Sequence, residues 1–188
     1  MNSSTLLNEL REITRTNIKE VNQLLELDSE QLNYKPSSES WSILECMEHL
    51  NRYGDFYIPE ITQRIKQSKH GKSNTFQTGL LGDYFAKSML PKEKLNKMKT
   101  FKSMNPNNSQ LDASVLNTFL DQQQQLLKLL DQCKNINLTK TKTAISISKL
   151  IKLRLGDTLR VVIYHNWRHV VQAKKVVKLV SVAPVEVG

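Results

Sequence analysis

Residues 158–180, TLRVVIYHNWRHVVQAKKVVKLV, decide the fold. Leu, Ile and Val recur through this stretch at helical spacing, and it contains neither Gly nor Pro. The pattern predicts a long helix. Gly156-Asp157 reads as its start, with Asp157 as N-cap. Lys174, Lys175 and Lys178 lie near its end, where positive charge suits the helix dipole. Thr158, Val162, His165, His169 and Gln172 fall along one stripe. Residues four apart are separated by roughly 40° around a helix. The imidazoles of His165 and His169 therefore project from one face on adjacent turns, close enough to share a metal ion.

Three more helices are legible upstream. The first is expected over about 4–27, with an apolar stripe of Leu6, Leu10, Ile13, Ile18, Val21, Leu24 and Leu25. The second is expected over about 42–68, opened by a Ser42/Glu45 capping box, with a possible kink at Pro59. The third is expected over about 112–133. Its run Gln122 to Gln125 reads as a solvated face. Residues 28–40 form a connector, and 69–110 a long connection with a short helix near 79–89. Residues 135–154 read as another connector, with one turn around Ser148 to Leu153, and the tail from Ser181 is expected to fray. The fold class is all-α: a four-helix bundle in one domain, 1–188, with a long crossover between helices two and three.

The net charge is +9, from 27 basic and 18 acidic residues. Such a surplus attracts polyanions, acidic membrane surfaces or anionic small molecules without choosing among them. Cys46 and Cys133 make no disulfide framework and fit a reducing cytoplasm. No signal peptide and no transmembrane run is evident. The expected location is cytoplasmic.

The chain has only four histidines, and His70 alone falls in a loop. On the second helix Glu45, His49, Tyr53 and Phe56 share a stripe, with Cys46 nearby. If that stripe faces His165 and His169, three imidazoles converge inside the bundle. Imidazole suits zinc, nickel, iron and copper. Three histidines with open positions form the layout of a catalytic site rather than a closed structural one. The residues alone leave a second reading open, in which these are hydrogen-bonded core histidines.

Two motifs go further. The segment Trp41-Ser42-Ile43-Leu44-Glu45-Cys46-Met47-Glu48-His49-Leu50 has a Trp-Ser opening and a Glu four residues before a His-Leu pair. His165-Asn166-Trp167-Arg168-His169-Val170-Val171-Gln172 has two histidines four apart and a Gln three further on. Together they resemble the helix-two and helix-four signatures of the DinB-like (DinB/YfiT-like) superfamily. Asp28 to Leu32 and Lys35-Pro36 resemble its connector, so the resemblance covers essentially the whole chain. It implies an up-down-down-up bundle and a homodimer. It also implies a divalent metal, often nickel or zinc, on His49, His165 and His169. Relatives include bacterial thiol S-transferases that use bacillithiol, mycothiol or glutathione, and a mycothiol-dependent isomerase. The basic-apolar stretch Ile145 to Leu155 and the long 69–110 connection depart from the pattern, so substrate class does not carry over.

The function these readings support is transfer of a low-molecular-weight thiol, as co-substrate, to an electrophilic small molecule. Gln172 and Glu45 are candidates for orienting an imidazole N–H, although Glu45 also has its capping role. Tyr53 is a candidate pocket residue, and no further catalytic residue is identified. The alternatives are a metal-dependent hydrolase that activates water, and a non-enzymatic nucleic-acid or stress-response binding protein. Few aromatics and no binding motif argue against nucleic acid. Ile145 to Leu155 has the composition of a membrane-interface segment, but a loop packed over the bundle explains it better.

Overall fold

The computed structural model describes residues 1–92 and 100–180. The tail from Ser181 lies outside them. The described residues are mostly helical: α1 (Ser3–Leu24), α2 (Ser29–Asn33), α3 (Ile43–Lys66), α4 (Leu80–Met89), α5 (Ser114–Gln132) and α6 (Leu155–Val180). Two short strands, β1 (Lys142–Ile145) and β2 (Ser148–Arg154), pair antiparallel. The four long helices, α1, α3, α5 and α6, correspond to the four expected from periodicity. α1 and α3 each pack on both α5 and α6, and α4 packs on α6. No helix among the described residues is long and apolar enough to cross a membrane.

Local signals set the helix starts. Asn2 caps α1 by accepting from the Thr5 N–H at 3.0 Å. The Ser42/Glu45 capping box is complete at 3.1 and 2.9 Å, and α3 continues through Pro59. A second capping box, Asp28 with Gln31, nucleates α2 inside what reads as a connector.

Two expectations for the stretch 148–157 are corrected. Ser148 to Leu153 is strand, not a helical turn. The Ile-Ser alternation of 145–148 spans the Ser146-Ile147 turn that joins the strands, and the β-branched Thr143, Ile145 and Ile151 on either side suit a pleated surface. Leu150 is left exposed while Ile145 and Leu153 turn inward. Asp157 is also not the N-cap, because α6 begins at Leu155. β2 runs straight into the helix, and the Leu155 and Gly156 N–H groups are taken up by the Thr141 and Leu138 carbonyls at 2.8 and 3.1 Å. The Asp157 carboxylate is thereby free to bind the Thr78 hydroxyl and the Gly79 N–H.

The core divides into two apolar clusters. One is built around Leu6, Leu10, Ile61, Leu130, Leu159 and Ile163, the other around Val21, Met47, Leu50, Phe119, Val170 and Ala173. Between them runs a polar belt. Gln123 bonds Asn166 at 3.3 Å, and Gln122 donates to the Asn51 carbonyl at 3.1 Å and to Asp55 at 2.9 Å. The glutamine run is therefore not a wholly solvated face, since Gln122 and Gln123 are buried. Gly54 makes this possible, because a Cβ there would collide with the Gln122 amide at 1.9 Å. Both cysteines are free and buried. Burial pushes the Cys133 thiol up to about 12. Burial, with the Glu45 charge, also pushes Cys46 up.

Candidate metal centre

His49 from α3 and His165 and His169 from α6 meet where the apolar clusters give way. Their ligand atoms all lie within 4.8 Å of one another. The Nε2 atoms of His49 and His165 are 3.2 Å apart. The His169 ring centroid lies 4.7 Å from each of the other two. Two imidazoles 3.2 Å apart could simply share a hydrogen bond. A third imidazole converging on the pair is what a core histidine pair does not need.

Partners outside the triad fix the tautomers. The His49 Nδ1–H donates to the Met104 carbonyl at 2.6 Å. The His169 Nδ1–H donates to Gln172 Oε1 at 2.9 Å. In a neutral ring this leaves each Nε2 as a lone pair, the form that binds a metal. The rings are neutral. Burial lowers the His49 pKa to about 4, assisted by the Arg52 charge and opposed by the Met104 bond. Burial, followed by the neighbouring histidines and Arg168, holds His165 well below its usual range. Burial, with His49 and Arg168, does the same for His169 against the Gln172 bond. Three neutral imidazoles, two of them with the remote N–H satisfied, fit a divalent borderline ion.

Those shifts set a pH dependence. Well above about pH 6.5 the histidines are neutral in folded and unfolded chains alike. As pH falls toward 4, the unfolded chain takes up protons that the folded chain refuses, and stability declines. The metal-free protein should lose about 5 °C or more of melting temperature between pH 7 and pH 5. The loss should be smaller in His49→Ala. A flat melting profile over that range, measured by circular dichroism, would contradict the assignment.

The aromatic surroundings are close. Trp41 packs on His49 at 4.6 Å and on His169 at 5.7 Å between centroids. Tyr53 stands edge-on to His49 and His165 at 5.0 and 4.9 Å. The triad, Trp41, Tyr53 and Gln172 line one cavity of about 740 Å³.

Glu45 is placed elsewhere. Its carboxylate accepts from the Ser42 and Asn108 N–H groups at 2.9 and 2.7 Å and pairs with Lys35 at 3.3 Å. Lys35 also reaches Asn107 and Asn108 at 2.7 and 3.1 Å. Glu45 thus anchors the 105–108 loop rather than an imidazole. Asn108, at φ 64°, takes the left-handed conformation that Asn tolerates. Arg52, paired with Glu48 at 2.8 Å, donates to the Ser103 and Asn105 carbonyls at 3.4 and 3.1 Å. Those bonds flank Met104 and hold its carbonyl against His49. Sequence reasoning missed this part of the site. A backbone acceptor has no residue signature, and a basic residue three positions after a histidine is not distinctive.

No curated protein and no solved structure matches the chain. The family model described as DinB superfamily matches residues 12–173, a span that holds all three histidines, and the chain belongs to that superfamily.

Proposed function

We propose that the protein holds a divalent ion, nickel or zinc, on His49, His165 and His169 and transfers a low-molecular-weight thiol to an electrophilic small molecule. The observation that carries this reading is the convergence of three neutral imidazoles in the wall of a cavity large enough for a small-molecule ligand. When bound, such an ion is a Lewis acid that lowers the pKa of a thiol presented to it.

The chain's own residues do the rest. The Met104 carbonyl and Gln172 keep protons on Nδ1 of His49 and His169, so that neither ring can turn its lone pair away. Trp41 and Tyr53 cover the rings and limit water. The thiol sulfur forms a bond to the electrophilic carbon while the carbon–oxygen bond of an epoxide, or a carbon–halogen bond, breaks with its electron pair. The thiol proton passes to the epoxide oxygen or, with a halide, to solvent. Hydrolysis is less well supported. Among the described lining residues Glu39 is the only carboxylate, it is exposed, and Glu45 is engaged with the loop.

The same reading makes 1–188 one domain, arranges the four long helices up-down-down-up, pairs two copies and places them in the cytoplasm. Elemental analysis of purified protein, followed by thiol-loss assays with a probe epoxide, tests the proposal. About one divalent ion per chain and thiol loss that requires both ion and protein are expected. No bound ion after incubation with zinc or nickel would sink it.

A further inference from the structure

The imidazoles form only part of the cavity wall. One and two turns beyond His49 along α3 stand Tyr53 and Tyr57, and one turn before His165 on α6 stand Val161 and Val162. That end is closed by Ile145 and Leu153 of the hairpin and by Phe85 and Met89 of α4. Apart from the Tyr53 hydroxyl, the polar groups named for this end are already engaged. The Tyr57 hydroxyl accepts from the Ser146 N–H at 3.3 Å and lies 3.4 Å from the Ser146 hydroxyl. Arg168, the basic side chain of the described lining apart from the histidines, donates to the Leu90 carbonyl at 3.5 Å. The other end is polar, with Glu39, Ser40, Asn107 and Gln172.

A wall of aliphatic and aromatic carbon holds water poorly and leaves a charged or peptidic ligand without partners. A neutral apolar molecule loses nothing there and gains by leaving water. We infer that the hairpin end of the cavity is a binding chamber for a neutral aromatic or branched aliphatic body. This deepens the proposed function and rests on it for the chamber's role. The chamber would seat the unreactive part of the electrophile beside the imidazoles, and the polar thiol would enter from the Glu39–Gln172 end.

The test uses the neutral fluorophore N-phenyl-1-naphthylamine with metal-free full-length protein, so that it does not depend on turnover. Wild type should bind the dye saturably with enhanced, blue-shifted emission. Val162→Trp, which fills the chamber, should weaken binding by about tenfold or more, roughly 1.4 kcal/mol. Ile147→Lys changes a half-exposed hairpin residue of the lining, so the fold should tolerate it; it should weaken binding in the same direction. It decides the matter if Val162→Trp is unfolded by circular dichroism. His49→Ala should retain the dye while losing the ion, which separates the chamber from the metal reading. No dye binding by wild type would overturn the inference. So would unchanged affinity in Ile147→Lys together with any folded Val162→Trp. Loss of the dye in His49→Ala would place it on the imidazoles instead and overturn the chamber too.

Discussion

His165→Ala, stripped of metal and titrated with zinc against a chelator, should bind the ion more than about a hundredfold more weakly than wild type. The His165 ring centroid lies 5.0 Å from that of His49 and 4.7 Å from that of His169, and its Nε2 is 3.2 Å from the His49 Nε2. Removing it leaves two of the three imidazoles, one on each helix, fewer protein ligands than a three-histidine site supplies. Gln172→Ala gives the internal scale. It removes the acceptor that orients His169 but leaves all three ligands, so its loss should fall in the range of about 10–100-fold. Circular dichroism should be unchanged in both, because neither residue belongs to the apolar clusters. Wild-type affinity in His165→Ala would show that these histidines are core residues.

Asp157→Ala should destabilise the metal-free protein by about 3–5 kcal/mol. The Asp157 side chain is fully buried and accepts from the Thr78 hydroxyl, from the Gly79 N–H at 2.8 Å and from Arg160 at 3.3 Å. Arg160 is nearly as buried, and its Nε already lacks a partner. Without Asp157 the guanidinium keeps the partly buried Asp83 at 3.0 Å, and its charge is less well compensated. Gly82 packs directly against this carboxylate, where a Cβ would come within 2.4 Å, so the deletion also opens a hole between α4 and α6. Asp157→Asn keeps the volume and some of the bonds and should cost less. Urea unfolding measures both, and a loss under about 1 kcal/mol in Asp157→Ala would show the network to be dispensable.

These two sites show why some of the molecule was legible in sequence and some was not. The long helices follow from apolar spacing, and the Ser42/Glu45 box from its residue types, because both signals are local. His49, His165 and His169 were readable because histidine is rare in this chain and two of them lie a helical turn apart. The Asp157 network was not readable. A residue well placed to cap its own helix is recruited by Thr78 and Gly79, nearly eighty positions away in sequence, once the Thr141 and Leu138 carbonyls ahead of β1 take up the first N–H groups of the helix. The hairpin was hidden for a related reason. Its Ile-Ser alternation is short, and only packing on α3 and α6 decides between strand and turn. Glu45 carried two compatible readings, and the loop that chose between them is held by Lys35 and Asn108, whose roles no local pattern announces.

The two buried cysteines have a consequence for the proposed reaction. A catalyst that admits electrophiles risks being alkylated by them, and cysteine is the side chain most exposed to that fate. With both thiols sealed in the core and pushed far from ionisation, the chain presents almost no thiolate of its own at neutral pH. The folded protein should therefore tolerate prolonged contact with iodoacetamide or an epoxide without self-inactivation, and any thiol titrated in a reaction mixture would be the one that was added.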